Sequence, residues 1–201
     1  MNNIKLIIFD LSGVCFDIEE PPYLEKFIKL HNLEHDNFLE RYDELLKKAE
    51  VGEGTGIELW NTLSREYNID ANPKEIIKEM MNFKLPHRDI LDWASKLKGK
   101  YAVIYLTNYN KDYWDEILRR FDFNDWFSWG VVSYEIGFRK PAKEGFEYIL
   151  QKSAVRPEEA VFIDDTAKNL EQPKALGIKT INFRDKAALL NELANLGVKI
   201  S

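Results

Sequence analysis

Asp10, Thr107 with Asn108, Lys140 and the pair Asp164-Asp165 each stand at or just beyond the end of a short apolar run. In an open parallel sheet those ends line the crevice where ligands bind. A small anionic metabolite would need only a local basic pocket there, which the net charge leaves open. Taken singly, each has an ordinary explanation: Asp and Asn favour turns, Thr favours strand ends, and Lys is usually solvated. Their joint order along the chain is what singles them out.

The elements that would position them alternate. Ile4 to Phe9 is an isoleucine-rich run bounded by Asp10 and Gly13, and it predicts a strand buried on both faces. Tyr101 to Leu106, Trp129 to Val132, Ala160 to Ile163 and Lys179 to Phe183 have strand length, with helical periodicity between them. This is the pattern of an α/β fold with right-handed crossovers, a doubly wound parallel sheet. Residues from about 21 to 83 interrupt it with helix signals in succession and predict a helical insertion after the first strand. Asn72-Pro73-Lys74-Glu75 offers an N-cap, a proline at the first helical position and a glutamate placed to close a capping box. Thr55 with Glu58 repeats the capping logic, and Phe38, Leu39, Tyr42, Leu45 and Leu46 form a stripe at helical spacing.

The strings Ile-Ile-Phe-Asp10-Leu-Ser12-Gly13-Val, Ile-Tyr-Leu-Thr107-Asn108, Gly137-Phe-Arg-Lys140-Pro141 and Val-Phe-Ile-Asp164-Asp165, with Asn169 four residues on, resemble the four motifs of the haloacid dehalogenase-like hydrolase superfamily. The resemblance covers essentially the whole chain. It implies a Rossmann-like core of residues 1–16 and 86–201 and a helical (C1-type) cap of residues 17–85. A response-regulator receiver domain uses similar residues but carries its acidic pair first, which is not the order here.

The resemblance implies hydrolysis of a small phosphomonoester, a sugar phosphate or similar metabolite, through an aspartyl phosphate on Asp10. A carboxylate attacking an already anionic phosphoryl group needs cations to remove the repulsion. By resemblance Mg²⁺ is held by the Asp10 side chain, the backbone carbonyl of Ser12 and Asp165, an all-oxygen set suited to a hard ion. Lys140 then neutralises charge on Asp10 and the phosphoryl oxygens, Thr107 and the Asn108 N–H bind the remaining oxygens, and Asp164 and Asn169 support these groups.

Position 12 departs from the pattern. The phosphatases of the superfamily usually have a second aspartate there as general acid and base, and a serine hydroxyl cannot shuttle that proton at neutral pH. Three readings stay open: another group or a water takes over, with Asp17 a speculative substitute; the enzyme is weakly active; or the crevice binds a phosphorylated ligand or a protein partner without turnover. The dehalogenase branch has tyrosine at this place and uses no metal, and the phosphonate-cleaving branch needs a cap lysine that the sequence does not single out.

Other residues carry less. Glu53, in the loop between two cap helices, either reads the substrate or is an ordinary turn residue, and Gly52, Gly54 and Gly56 either hinge that loop or simply turn it. His31, His35 and His87 show no ligand spacing and read as structural or solvated. Trp60, Trp93, Trp114 and Trp126 read as core, and Lys47-Lys48 and Arg119-Arg120 as exposed helix faces. With 201 residues and a net charge of −6, the chain has a core-forming length and no broad phosphate-neutralising surface, so nucleic acid and anionic membrane are not the expected partners. The single cysteine, Cys15, excludes an internal disulfide, and the short N-terminal apolar run lacks the layout of a signal peptide; a reducing cytoplasm is expected.

Overall fold

A computed structural model describes residues 3–199. Five parallel strands, β1 (Leu6–Phe9), β2 (Ala102–Thr107), β3 (Trp129–Val132), β4 (Ala160–Asp164) and β5 (Lys179–Asn182), form one sheet in the order β3-β2-β1-β4-β5. The expected runs all become strands, with ends shifted by one or two residues. β1 is central because it is buried on both faces, and the chain winds outward from it first to one side and then to the other.

That reversal places the crevice beside β1. Phe9 pairs with Tyr105 of β2 and with Ile163 of β4, so the next residue on β1, Asp10, falls level with the carboxyl ends of both neighbours. Its N–H donates to the Ile163 carbonyl at 2.8 Å. The register therefore brings Asp10, Thr107 and Asp164 to one edge although about 150 residues separate the first from the last.

Alternation along the strands divides the core. Leu6 and Ile8 face one side with Ile104, Phe162, Phe146 and Ile149, the last two from α8 (Lys143–Ser153). Ile7 and Phe9 face the other, under α5 (Arg88–Leu97), α6 (Lys111–Arg120) and α10 (Lys186–Asn195). Two short helices, α7 (Ser133–Ile136) and α9 (Glu171–Ala175), complete the described α-helices outside the insertion, beside three 3₁₀ turns.

The insertion forms α1 (Glu20–His31), α2 (His35–Ala49), α3 (Gly56–Glu66) and α4 (Pro73–Met81). Thr55 and Glu58 make both halves of the capping box that opens α3. At α4 the outcome differs: the Asn72 side chain accepts from the Lys74 N–H at 3.0 Å, one position earlier than a capping box requires, and Pro73 presets the first turn. Trp60 packs at 5.1 Å from Phe27 and 5.6 Å from Tyr42, and this cluster is continuous with the sheet face bearing Phe9. The insertion thus shares its core with one side of the sheet. All four tryptophans named above are buried.

One surface expectation needs revision. Arg120 is half-buried, and its guanidinium donates to the carbonyls of Met81 and Lys84, because α6 packs against α4 and brings Arg120 over the end of that helix. Lys47 and Lys48 are exposed as expected, paired one turn back with Asp43 and Glu44. Among the described residues no helix is long and apolar enough to cross a membrane.

Gly130 on β3 lies against the face of Tyr105, so that a Cβ there would sit 2.0 Å from the ring. Tyr105 is wedged among Trp114, Phe123 and Phe127 and has nowhere to withdraw. Gly130→Ala is therefore expected to destabilise the fold by about 1–3 kcal/mol, as overpacking does. A urea titration would show it as a lower midpoint at unchanged slope, and an unaltered midpoint would contradict the packing.

Candidate active site

The Lys140 ammonium lies 2.6 Å from Asp10 Oδ1 and 2.7 Å from Asp164 Oδ2, with all three side chains buried. Lys140 reaches this point because Asn108, one residue past β2, clamps its backbone: Asn108 Oδ1 accepts from the Lys140 N–H at 2.8 Å and Nδ2 donates to its carbonyl at 3.3 Å. Asp164 is fixed in turn by the Thr166 N–H at 2.8 Å and by the Asn169 amide at 3.1 Å to each oxygen. Asp165, half-buried, joins them: one oxygen each from Asp10, Asp164 and Asp165 lies within 4.8 Å of the others. Thr107 ends β2, buried beside them.

Three carboxylates facing one ammonium leave an excess of negative charge. Burial pushes the Asp10 carboxyl up to about 7, against the pull of Lys140 and with a further push from Asp164. Asp165 is also raised, by burial and then by Asp164. Burial works against the charged form of Lys140, yet the two carboxylates outweigh it and hold the ammonium protonated more firmly than usual. A hard divalent cation fits this all-oxygen cluster in charge and in donor type. Gly13 makes room for the Asp165 carboxylate: its φ is +78°, and a Cβ there would lie 2.3 Å from Asp165 Oδ2.

Ser12 faces a second set of charges. Lys84, just past α4, donates to Ser12 Oγ at 2.9 Å and to Glu19 Oε2 at 3.0 Å, and both Lys84 and Glu19 side chains are fully buried. The Tyr109 hydroxyl donates to Glu19 and lies 2.7 Å from Ser12 Oγ. Since the single Tyr109 proton goes to Glu19, Ser12 is the donor in the second bond. Its hydroxyl proton points to Tyr109, and one of its lone pairs is taken by Lys84. The Lys84 charge also lies over the rings of Phe16 and Tyr109, at 5.3 and 5.1 Å. Sequence reasoning missed Lys84, Glu19 and Tyr109. The one available signal was that opposite charges flank the two ends of the helical insertion.

Those ends run side by side. Asp17 N–H donates to the Leu85 carbonyl at 2.9 Å, and His87 N–H to the Cys15 carbonyl at 2.8 Å. His87 is structural: its ring nitrogens lie 2.8 Å from the Val14 carbonyl and 2.9 Å from Asp17, and His87 and Asp17 border a cavity whose wall includes Asp165. His35, by contrast, is exposed between Glu25 and Asp36, and His31 packs on Phe27.

Glu53 is exposed and borders an outer groove with Leu45, Lys48 and Thr55, so it is not brought into the carboxylate cluster. Its loop does approach the segment that carries Lys140. Glu50 is buried and bonded to Arg139 at 2.6 Å, and Gly52, at φ +80°, lies so close to the Tyr134 carbonyl that a Cβ would be 3.0 Å from it.

The model of one protein family, haloacid dehalogenase-like hydrolase, matches residues 4–177. The chain belongs to this family. It is 28% identical over 200 residues to the D-ribitol-5-phosphate phosphatase of Bacteroides thetaiotaomicron, spanning 94% of this chain and 97% of that one. It is 25% identical over 202 residues to the phosphorylated carbohydrates phosphatase of Thermotoga maritima, spanning 93% and 90%. Among solved structures, a haloacid dehalogenase family enzyme from Bacteroides thetaiotaomicron in complex with magnesium and inorganic phosphate superposes with a TM-score of 0.81, at 27% identity over 93% of this chain and 99% of that one.

In this haloacid dehalogenase-like hydrolase the buried Lys84–Glu19 pair makes a stability prediction. Lys84→Met would leave the Glu19 carboxylate without its cation and is expected to cost about 3–5 kcal/mol. Lys84→Met combined with Glu19→Met should recover most of that loss, because the desolvation of both charges is removed together. Denaturant unfolding of the single and double variants measures the coupling, and simple additivity would show that the pair carries none.

Proposed function

We propose that this protein is a Mg²⁺-dependent phosphatase that hydrolyses a small phosphomonoester, a phosphorylated metabolite of sugar-phosphate size, through an aspartyl phosphate on Asp10. The observation that carries this reading is the buried Asp10 carboxylate held 2.6 Å from Lys140 with Asp164 and Asp165 converging on it. The phosphatase relatives and the magnesium and phosphate bound by the Bacteroides structure support it.

In this reading an Asp10 oxygen attacks phosphorus and the bond to the leaving oxygen breaks; water then attacks the aspartyl phosphate, releasing phosphate and restoring the carboxylate. Mg²⁺, held by the Asp10 and Asp165 side chains and the Ser12 carbonyl, supplies charge neutralisation for the phosphoryl group. Lys140 neutralises Asp10 and the phosphoryl oxygens, Thr107 and the Asn108 N–H bind the remaining oxygens, and Asp164 with Asn169 orients Lys140. Residues 17–85 act as the cap and residues 1–16 and 86–201 as the core. Glu53 takes no part in the chemical step.

Ser12 does not replace the missing acid. Its proton is committed to Tyr109 and its oxygen to Lys84, so the leaving oxygen takes its proton from water. General acid–base catalysis is typically worth about 10²–10⁴-fold, and its loss weighs most on poor leaving groups. Turnover of acetyl and aryl phosphates should therefore exceed that of alkyl phosphates steeply, vanish in EDTA, and vanish in Asp10→Asn. Steady-state phosphate release with Mg²⁺ checks all three. Activity that survives Asp10→Asn would refute the mechanism, and binding of phosphate esters without any turnover would favour a ligand-binding protein instead.

A further inference from the structure

The loop that follows Asp10 folds back on itself. Leu11 offers its carbonyl to the N–H groups of Cys15 and Phe16 at 2.8 and 2.9 Å, and the Gly13 N–H donates to the Phe16 carbonyl at 2.7 Å. Ser12 stands outside these bonds: none of the described residues donates to its carbonyl. That carbonyl is therefore open to a cation, as the reading above requires of it.

The residue is held instead through its hydroxyl. Oγ lies 2.9 Å from the Lys84 ammonium, at the return end of the insertion, and 2.7 Å from the Tyr109 hydroxyl, in the segment after β2. Both anchors are themselves fixed. The Lys84 N–H donates to the Met81 carbonyl at 3.1 Å and Arg120 to the Lys84 carbonyl at 3.4 Å, while the Tyr109 N–H donates to Ser133 Oγ at 3.1 Å. Gly13 adds no stiffness, since glycine accepts φ of either sign. The direction of the peptide between Ser12 and Gly13 thus depends on two tethers, Phe16 on its nitrogen side and the Ser12 hydroxyl on the other. Both lead to the end of the insertion, because Phe16 pairs with Pro86, two residues past Lys84.

We propose that Lys84 and the Ser12 hydroxyl are a positioning pair for the metal site: the ammonium fixes the side chain of the residue whose carbonyl binds Mg²⁺. The inference rests on the phosphatase reading and deepens it. It gives the serine a part in metal binding that its carbonyl alone would not need, and it makes the end of the helical insertion a support of the metal loop.

The test reads metal binding directly, on the full chain stripped with EDTA, using Mn²⁺ as the probe and the paramagnetic resonance of the free ion as the signal. Ser12→Ala removes the hydroxyl and keeps the carbonyl. Lys84→Met with Glu19→Met removes the ammonium without leaving a lone buried carboxylate. Each should bind Mn²⁺ about tenfold more weakly than the wild type, the scale on which the supports of metal ligands act. Because both changes break the same tether, joining all three substitutions should deepen the larger loss by no more than about twofold. A pair that only stabilises the fold would lower the urea midpoint and leave Mn²⁺ affinity alone. Affinity unchanged in Ser12→Ala or in the Lys84→Met/Glu19→Met variant, or losses that multiply when the substitutions are joined, overturns the positioning pair, while wild-type hydrolysis of acetyl phosphate keeps the phosphatase reading. A wild type that binds no Mn²⁺ and releases no phosphate from acetyl phosphate overturns both.

Discussion

Three carboxylates drawn together in a buried crevice repel one another, and the Lys140 ammonium, seated between Asp10 and Asp164, is what makes their company tolerable. Taking those ions out of water costs several kcal/mol each, and the return comes only if every remaining donor and acceptor finds a partner. The structure meets that condition from behind: Asn108 holds the Lys140 backbone, and Asn169 and the Thr166 N–H hold Asp164. What remains unbalanced is Asp10 with Asp165, on the side where a divalent cation fits.

The same constraint explains why the site sits where it does. Lys140 can bridge Asp10 and Asp164 only because β1 and β4 are hydrogen-bonded neighbours, with Phe9 opposite Ile163, so that the two aspartates leave the sheet at the same level. A one-residue slip of that register would send one aspartate to the other face. Burial of Leu6 to Phe9 on both sides of the sheet prevents the slip, since any shift would exchange two packed hydrophobic sets.

A second buried charge pair, Lys84 with Glu19, ties the two ends of the helical insertion to Ser12 and Tyr109 of the core. Its presence gives position 12 a structural meaning that its chemistry alone lacks. A serine there joins a hydrogen-bonded network with Lys84, Tyr109 and Glu19, and the residue faces the hinge as much as the crevice. The hydroxyl so engaged, its proton toward Tyr109 and a lone pair toward Lys84, has none left to offer to a leaving oxygen.

Residue types and their order by themselves determined the strand-helix alternation, the helical insertion after the first strand, and the family membership, because apolar runs, capping residues and motif strings are local properties of the chain. They also marked Asp10, Thr107, Asn108, Asp164 and Asp165, which lie at or just past strand ends, and Lys140 and Asn169, which the motif strings singled out. Only tertiary structure decided which of these touch: that Asn108 serves the Lys140 backbone, that Glu53 lies on an outer groove, that Arg120 turns inward, and that Ser12 meets Lys84 and Glu19. Such contacts depend on strand register and on how an insertion of some seventy residues packs back on the sheet. A lysine 72 positions away from its serine leaves no periodicity for a reader to find.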